Sequence, residues 1–75
     1  MIGSSYEREF EEFARRGADR LVRTAYVLCR DRGHAEDLVQ LTLERTARRW
    51  RVARSNPEAY ARRVLVNLAH DRRRA

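Results

Sequence analysis

The sequence predicts an all-α fold, a small bundle of three to four helices, and three observations carry that prediction. Apolar residues recur at helical spacing along three stretches. Residues that start or stop helices bound those stretches. No alternating apolar run bounded by turns, and no hairpin dipeptide, gives a strand signal. Seventy-five residues make a single domain, 1–75, which buries about 60–65% of its unfolded surface. Stability at that size is marginal, and a deep catalytic cleft is hard to build.

The first helix is predicted over about residues 4–30. Ser4 and Glu7 form a capping box, and Glu7, Glu9, Glu11 and Glu12 crowd the first turns, where the helix dipole favours anions. Tyr6, Phe10 and Phe13 then fall on one face, and Leu21, Ala25, Leu28 and Cys29 continue the stripe beside Val22 and Tyr26. Gly17 interrupts the pattern, leaving one long helix or two nearly collinear ones kinked near it. A break at Asp31-Arg32-Gly33 precedes a second helix over about 34–50, with Asp31 or Gly33 as its N-cap. Ala35, Val39, Thr42 and Thr46 mark its inner face, with Leu38 and Leu43 beside them. Leu41 and the polar set Glu36, Asp37, Gln40 and Glu44 lie outside that stripe, as a solvated face or as a docking surface. Arg51 to Pro57 reads as a loop. Asn56-Pro57-Glu58 starts a third helix running to about residue 73, with Tyr60, Val64, Leu65 and Leu68 inward. Arg63, Asn67, His70 and Arg74 share another face, a continuous polar ridge.

Charge is divided along the chain. Residues 45–75 hold ten arginines against Glu58 and Asp71, whereas residues 1–44 hold seven arginines against nine acids, within a net charge of +6. A back half this basic points to a polyanion as partner. Every cation is Arg and none is Lys, which suits bidentate phosphate and guanine contacts, although a GC-rich coding bias also produces it. Trp50, Ser55, Asn56, Tyr60, Asn67 and His70 sit within the basic stretch and are able to stack on or hydrogen-bond to bases.

Other chemistry has no residues to rest on. Cys29 stands alone and, at an apolar helical position, reads as a small core residue. His34 reads as a surface residue at a helix start. One cysteine and two distant histidines give no metal-ligand spacing, so no metal or cofactor is expected. The glycines are scattered, and no nucleophile has a base at a motif spacing, so no catalytic residue and no enzyme activity are expected. No apolar run reaches the length of a membrane span and no signal peptide opens the chain, which together with the unpaired cysteine fits a cytoplasmic protein.

Four motifs in order then resemble region 2 of an extracytoplasmic-function sigma factor, most closely the actinobacterial type. They are Ala35-Glu36-Asp37-Leu38-Val39-Gln40, Arg48-Arg49-Trp50, Asn56-Pro57-Glu58-Ala59-Tyr60, and Val66-Asn67-Leu68-Ala69 with Asp71-Arg72-Arg73-Arg74. Phe10-Glu11-Glu12-Phe13 and Arg23-Thr24-Ala25-Tyr26 extend the likeness over nearly the whole chain. The resemblance implies that the second helix docks on the clamp helices of the largest subunit of core RNA polymerase through Asp37, Leu38, Gln40, Leu41 and Glu44. It also implies that the domain recognises and melts the promoter -10 element, holding the non-template strand single-stranded. The loop Arg51 to Asn56 would capture a flipped base, giving Arg51, Arg54, Ser55, Asn56, Tyr60, Arg62, Arg63, Asn67, Arg73 and Arg74 as DNA-binding residues. An anti-sigma factor is a further partner of such domains. The family usually has Glu where this chain has Leu41, and Trp where it has Tyr60. The family's helix-turn-helix domain for the -35 element has no counterpart in these residues, as expected of an excised region or a natural truncation. A small helix-turn-helix repressor is the alternative, weakened by a loop at 51–56 that is long for its turn, and a protein-binding adaptor is a third class.

Overall fold

The computed structural model describes the backbone of residues 2–74 and the side chains of residues 5–71. Four helices occupy nearly all of it: α1 (Ile2–Cys29), α2 (Arg32–Arg48), α3 (Trp50–Ala53) and α4 (Pro57–Arg74). The all-α prediction holds, with no strand among the described residues. At 1.5 Å per residue α1 alone is about 42 Å long, and it sets the 40 Å long axis of the molecule. Helices α1, α2 and α4 pack against one another around one core.

Helix α1 differs from its prediction at both ends. It begins at Ile2, so the acids from Glu7 onward lie beyond the first turn and do not face the dipole's positive end. The Ser4 side chain proposed as its cap lies outside the described side chains. The helix continues through Gly17 without a break. It ends by a left-handed turn at Arg30, whose φ is 59° and whose N–H donates to the Tyr26 carbonyl at 2.7 Å. Glycine usually occupies such a position. Here the nearest glycine, Gly33, falls inside the first turn of α2 with an ordinary φ.

Asp31, in extended conformation, is the N-cap of α2, and its Oδ1 accepts from the His34 N–H at 2.9 Å. That bond lowers the Asp31 pKa. Helix α2 buries Ala35, Leu38, Val39, Thr42 and Thr46, the predicted stripe together with Leu38. Thr46 donates back to the Thr42 carbonyl at 2.7 Å, whereas the buried Thr42 hydroxyl has no partner among the described residues. Helix α4 turns inward a face that keeps the predicted Leu65, with Leu68 packed at its edge, but is centred away from Tyr60 and Val64. Ala61, Leu65 and Ala69 are buried, and Tyr60, Val64 and Leu68 are only half-buried. Two of the three inward residues are alanines, which let α4 lie close to α1 and α2 but give a weak apolar signal in sequence.

The expected loop 51–56 is half helix. After α2 ends at Arg48, a single turn, α3, runs from Trp50 to Ala53, and Arg54, Ser55 and Asn56 form a turn into α4. Asn56 caps α4 with both its groups: Oδ1 accepts from the Ala59 N–H at 3.4 Å, and its carbonyl accepts from Tyr60 at 3.1 Å. Cys29 is half-buried and donates to the Ala25 carbonyl at 3.0 Å, as a small core-edge residue does.

Candidate nucleic-acid interface

A four-residue helix is too short to persist on its own, because nucleation costs more than one turn returns. Helix α3 also lacks a side-chain cap. Its shape therefore comes from what it packs on. Trp50 is 6% exposed, with ring centroids 5.4 Å from Phe10, edge to face, and 5.7 Å from Phe13. The predicted aromatic stripe of α1 is thus the bed of α3. The indole Nε1–H donates to Glu9 Oε1 at 3.1 Å. Arg54 donates to the same carboxylate with both ends of its fork, Nε to Oε1 at 2.9 Å and Nη2 to Oε2 at 2.6 Å. Its guanidinium carbon lies 4.8 Å from the centre of the Tyr6 ring. The Arg54 bonds, then the indole bond, lower the Glu9 pKa to about 2, and the same pair raises that of Arg54.

Two expectations change here. Trp50 is a core residue with its ring covered and its donor engaged, so it has no face to offer a base. Arg54, expected on DNA, forms an ion pair with Glu9 and ties the turn to α1. Neither partner of Glu9 was legible, because the bonds cross 41 and 45 residues of sequence.

The outer side of the same turn is open. Val52, Ala53, Ser55, Asn56, Ala59, Tyr60 and Arg63 line a hollow of about 240 Å³. Ser55 points its hydroxyl at the Val52 carbonyl, 3.3 Å away, and remains exposed. Tyr60 is also a wall of a second, wider groove of about 430 Å³, shared with Arg45, Arg48, Arg49, Val64 and Asn67. Half-buried Tyr60 therefore joins the hollow beside Ser55 and Asn56 to an arginine-lined groove. Among the described residues, Arg45, Arg48, Arg49 and Arg63 have no acidic partner within ion-pair distance. Four unneutralised guanidiniums around one tyrosine and two amides make a surface suited to a phosphate backbone and a stacked base.

Of the predicted DNA-binding residues, Ser55, Asn56, Tyr60, Arg63 and Asn67 come together on this surface. Arg51 is exposed on α3 but lines neither hollow. Arg62 turns the other way, into a niche of about 40 Å³ with Phe13, Gly17, Arg20, Leu21, Thr24 and Glu58. The side chains of Arg73 and Arg74 lie outside the described residues. Arg45, Arg48 and Arg49, which are not among the predicted contacts, line the groove with Tyr60 and Asn67.

The outward face of α2 forms a second surface. Asp37, Gln40 and Glu44 are exposed, and Leu41 is half-buried without packing on the core. Leu38 does not belong to that face. It is 1% exposed and part of the core cluster, so no partner reaches it without unfolding the helix.

Known proteins agree with the four motifs. The model of the sigma-70 region 2 family matches residues 13–75. Relatives described as RNA polymerase sigma-E factor, from Streptomyces coelicolor, Streptomyces avermitilis and Streptomyces antibioticus, are each 43% identical over 61 residues, 79% of this chain. The match spans only 34% of each relative's length. No solved structure matches the chain significantly.

Proposed function

The chain belongs to the sigma-70 region 2 family, of the extracytoplasmic-function type, and from that membership we propose that it docks on core RNA polymerase and reads the promoter -10 element as a single strand. The observation that carries the second half is the meeting of Ser55, Asn56, Tyr60, Arg63 and Asn67 with unpaired Arg45, Arg48 and Arg49 on one surface. The arginines hold phosphates, Tyr60 offers its half-buried ring between the two hollows, and the amide and hydroxyl groups supply base-edge hydrogen bonds. Stacking worth about 1–3 kcal/mol per base offsets part of the few kcal/mol needed to extrude it. The role is one of binding and strand capture, with no reaction of its own.

The first half rests on α2. Asp37, Gln40 and Glu44 form an exposed polar rim beside Leu41, a partly open apolar side chain with no core partner. That combination fits a protein surface rather than DNA, and the clamp helices of the polymerase's largest subunit are the partner we assign to it. An anti-sigma factor covering the same face would compete for it. The work would take place where polymerase is, in the cytoplasm; no described helix is long and apolar enough to cross a membrane.

The test is co-purification with core polymerase followed by selection from a randomised single-stranded library. Asp37→Arg and Gln40→Ala weaken co-purification while leaving the helical content unchanged. Arg63→Ala and Asn67→Ala lower the affinity for the enriched strand in a fluorescence titration. Unchanged co-purification removes the α2 face from the interface, and unchanged affinity removes the groove.

A further inference from the structure

We propose that Glu9 is a positioning residue for the base-reading turn, and that it governs how selectively the turn reads a single strand. The inference rests on the function proposed above. One carboxylate grips both ends of α3: Trp50, its first residue, at 3.1 Å, and Arg54, just past its last, at 2.9 and 2.6 Å. Nothing within α3 replaces that grip, since the helix is one turn long and lacks a side-chain cap. The hollow that would take a base is lined by residues of the same turn, Val52, Ala53, Ser55 and Asn56, and the last two also line the hollow that holds Glu9 and Arg54. Its shape is therefore set from α1.

The pair has a second consequence. Arg54 directly precedes Ser55, which lines the hollow, and Glu9 neutralises it. Released, it becomes one more mobile cation beside the bound strand. Such a cation attracts every strand alike, because phosphate contacts carry no sequence information. Glu9 thus supports selectivity twice, by holding the turn and by withholding a non-selective charge.

Glu9→Gln separates these effects from plain destabilisation. The amide keeps an oxygen for the Trp50 N–H but no longer neutralises Arg54. We expect the preference for a library-enriched strand over its scrambled counterpart, with labelled oligonucleotides and core polymerase present, to fall by about tenfold, the order of one stacked base. The salt dependence of binding should steepen by about 0.7 in log–log slope, one additional phosphate contact on a single strand. Arg54→Ala should lower the preference too, but leave the slope unchanged, because no cation is released. A merely structural role would change thermal stability without that difference in slope. If the wild-type chain enriches a strand and Glu9→Gln alters neither preference nor slope, this inference is overturned alone. If the wild type enriches nothing, the base-reading assignment falls and takes the inference with it.

Discussion

Leu38 and Leu41 lie three residues apart on α2 and should respond oppositely to truncation. Leu38 is 1% exposed, one of the largest fully buried side chains, in the cluster that joins Leu21 and Ala25 of α1 to Leu65 of α4. Replacing a leucine so placed by alanine costs about 3–5 kcal/mol, since the methyl groups return to water and a cavity remains. A domain of 75 residues has only about 4–11 kcal/mol in total, so Leu38→Ala loses between about a quarter and all of it. At about 4–8 °C per kcal/mol, the melting temperature falls by well over about 10 °C. Leu41 is half-buried and outside that cluster, so Leu41→Ala costs under about 1 kcal/mol. Its effect should appear in polymerase binding instead. Thermal unfolding followed by circular dichroism, with co-purification measured below both transitions, reads the two outcomes separately. A Leu38→Ala chain that melts like the wild type but loses polymerase would show that Leu38 is an interface residue and that its burial here is wrong.

Three further perturbations test the packing and the electrostatics. Thr42→Val replaces a buried, unpartnered hydroxyl with a methyl group and should stabilise by about 1 kcal/mol or more, while Thr46→Val breaks the 2.7 Å bond to the Thr42 carbonyl and should cost about 0.5–1.5 kcal/mol. Chemical denaturation of the two variants compares them directly, and equal shifts would mean that Thr42 has a partner after all. Arg30→Gly relieves a left-handed backbone at φ 59° and should stabilise by about 1 kcal/mol, seen as a rise in melting temperature of about 4–8 °C. Acid should loosen α3 through Glu9: its pKa is lower in the folded state, so the stabilisation is fully present above about 4.5 and is lost as pH falls towards about 2. The melting temperature of Glu9→Gln should therefore fall less than that of the wild type across that window. Parallel curves would assign the acid response to other groups, Asp31 among them.

How much of this was legible depended on the distance over which each residue acts. The inner stripe of α2 was readable because Ala35, Val39, Thr42 and Thr46 keep a helical period within 17 residues. The start of α4 was readable because Asn56-Pro57-Glu58 is a local signal, and its cap bonds span three or four residues. The inner face of α4 was misjudged towards Tyr60 and Val64, because size drew attention from the alanines that permit close helix packing. Helix α3 was read as a loop, since its order is imported from the phenyl rings of α1 and from Glu9. The same long-range bonds explain why the burial of Trp50 and the ion pair of Arg54 were not legible. An arginine in a basic stretch carries no local mark of the acid that neutralises it.

The placement of both surfaces on α2 has a consequence for how they act together. Asp37 and Arg48 are eleven residues apart on one unbroken helix, about 16 Å along its axis. That is about twice the distance over which physiological salt screens exposed charges. The acidic face therefore does not cancel the basic groove, even though the net charge of the domain averages them. Only Glu44 stands near the junction, one turn before Arg48, and it forms no ion pair among the described residues. Under the proposed function the helix is then a rigid spacer between the Asp37 end of the docking surface and the groove, with Glu44 at their junction. A partner bound at Asp37, Gln40 and Leu41 fixes the groove at Arg48, Tyr60 and Asn67 at a set distance without weakening its hold on phosphate. Glu9 completes the arrangement from the other side, fixing the short helix through which α2 leads into α4. The selectivity of the groove thus depends on a residue that touches neither partner.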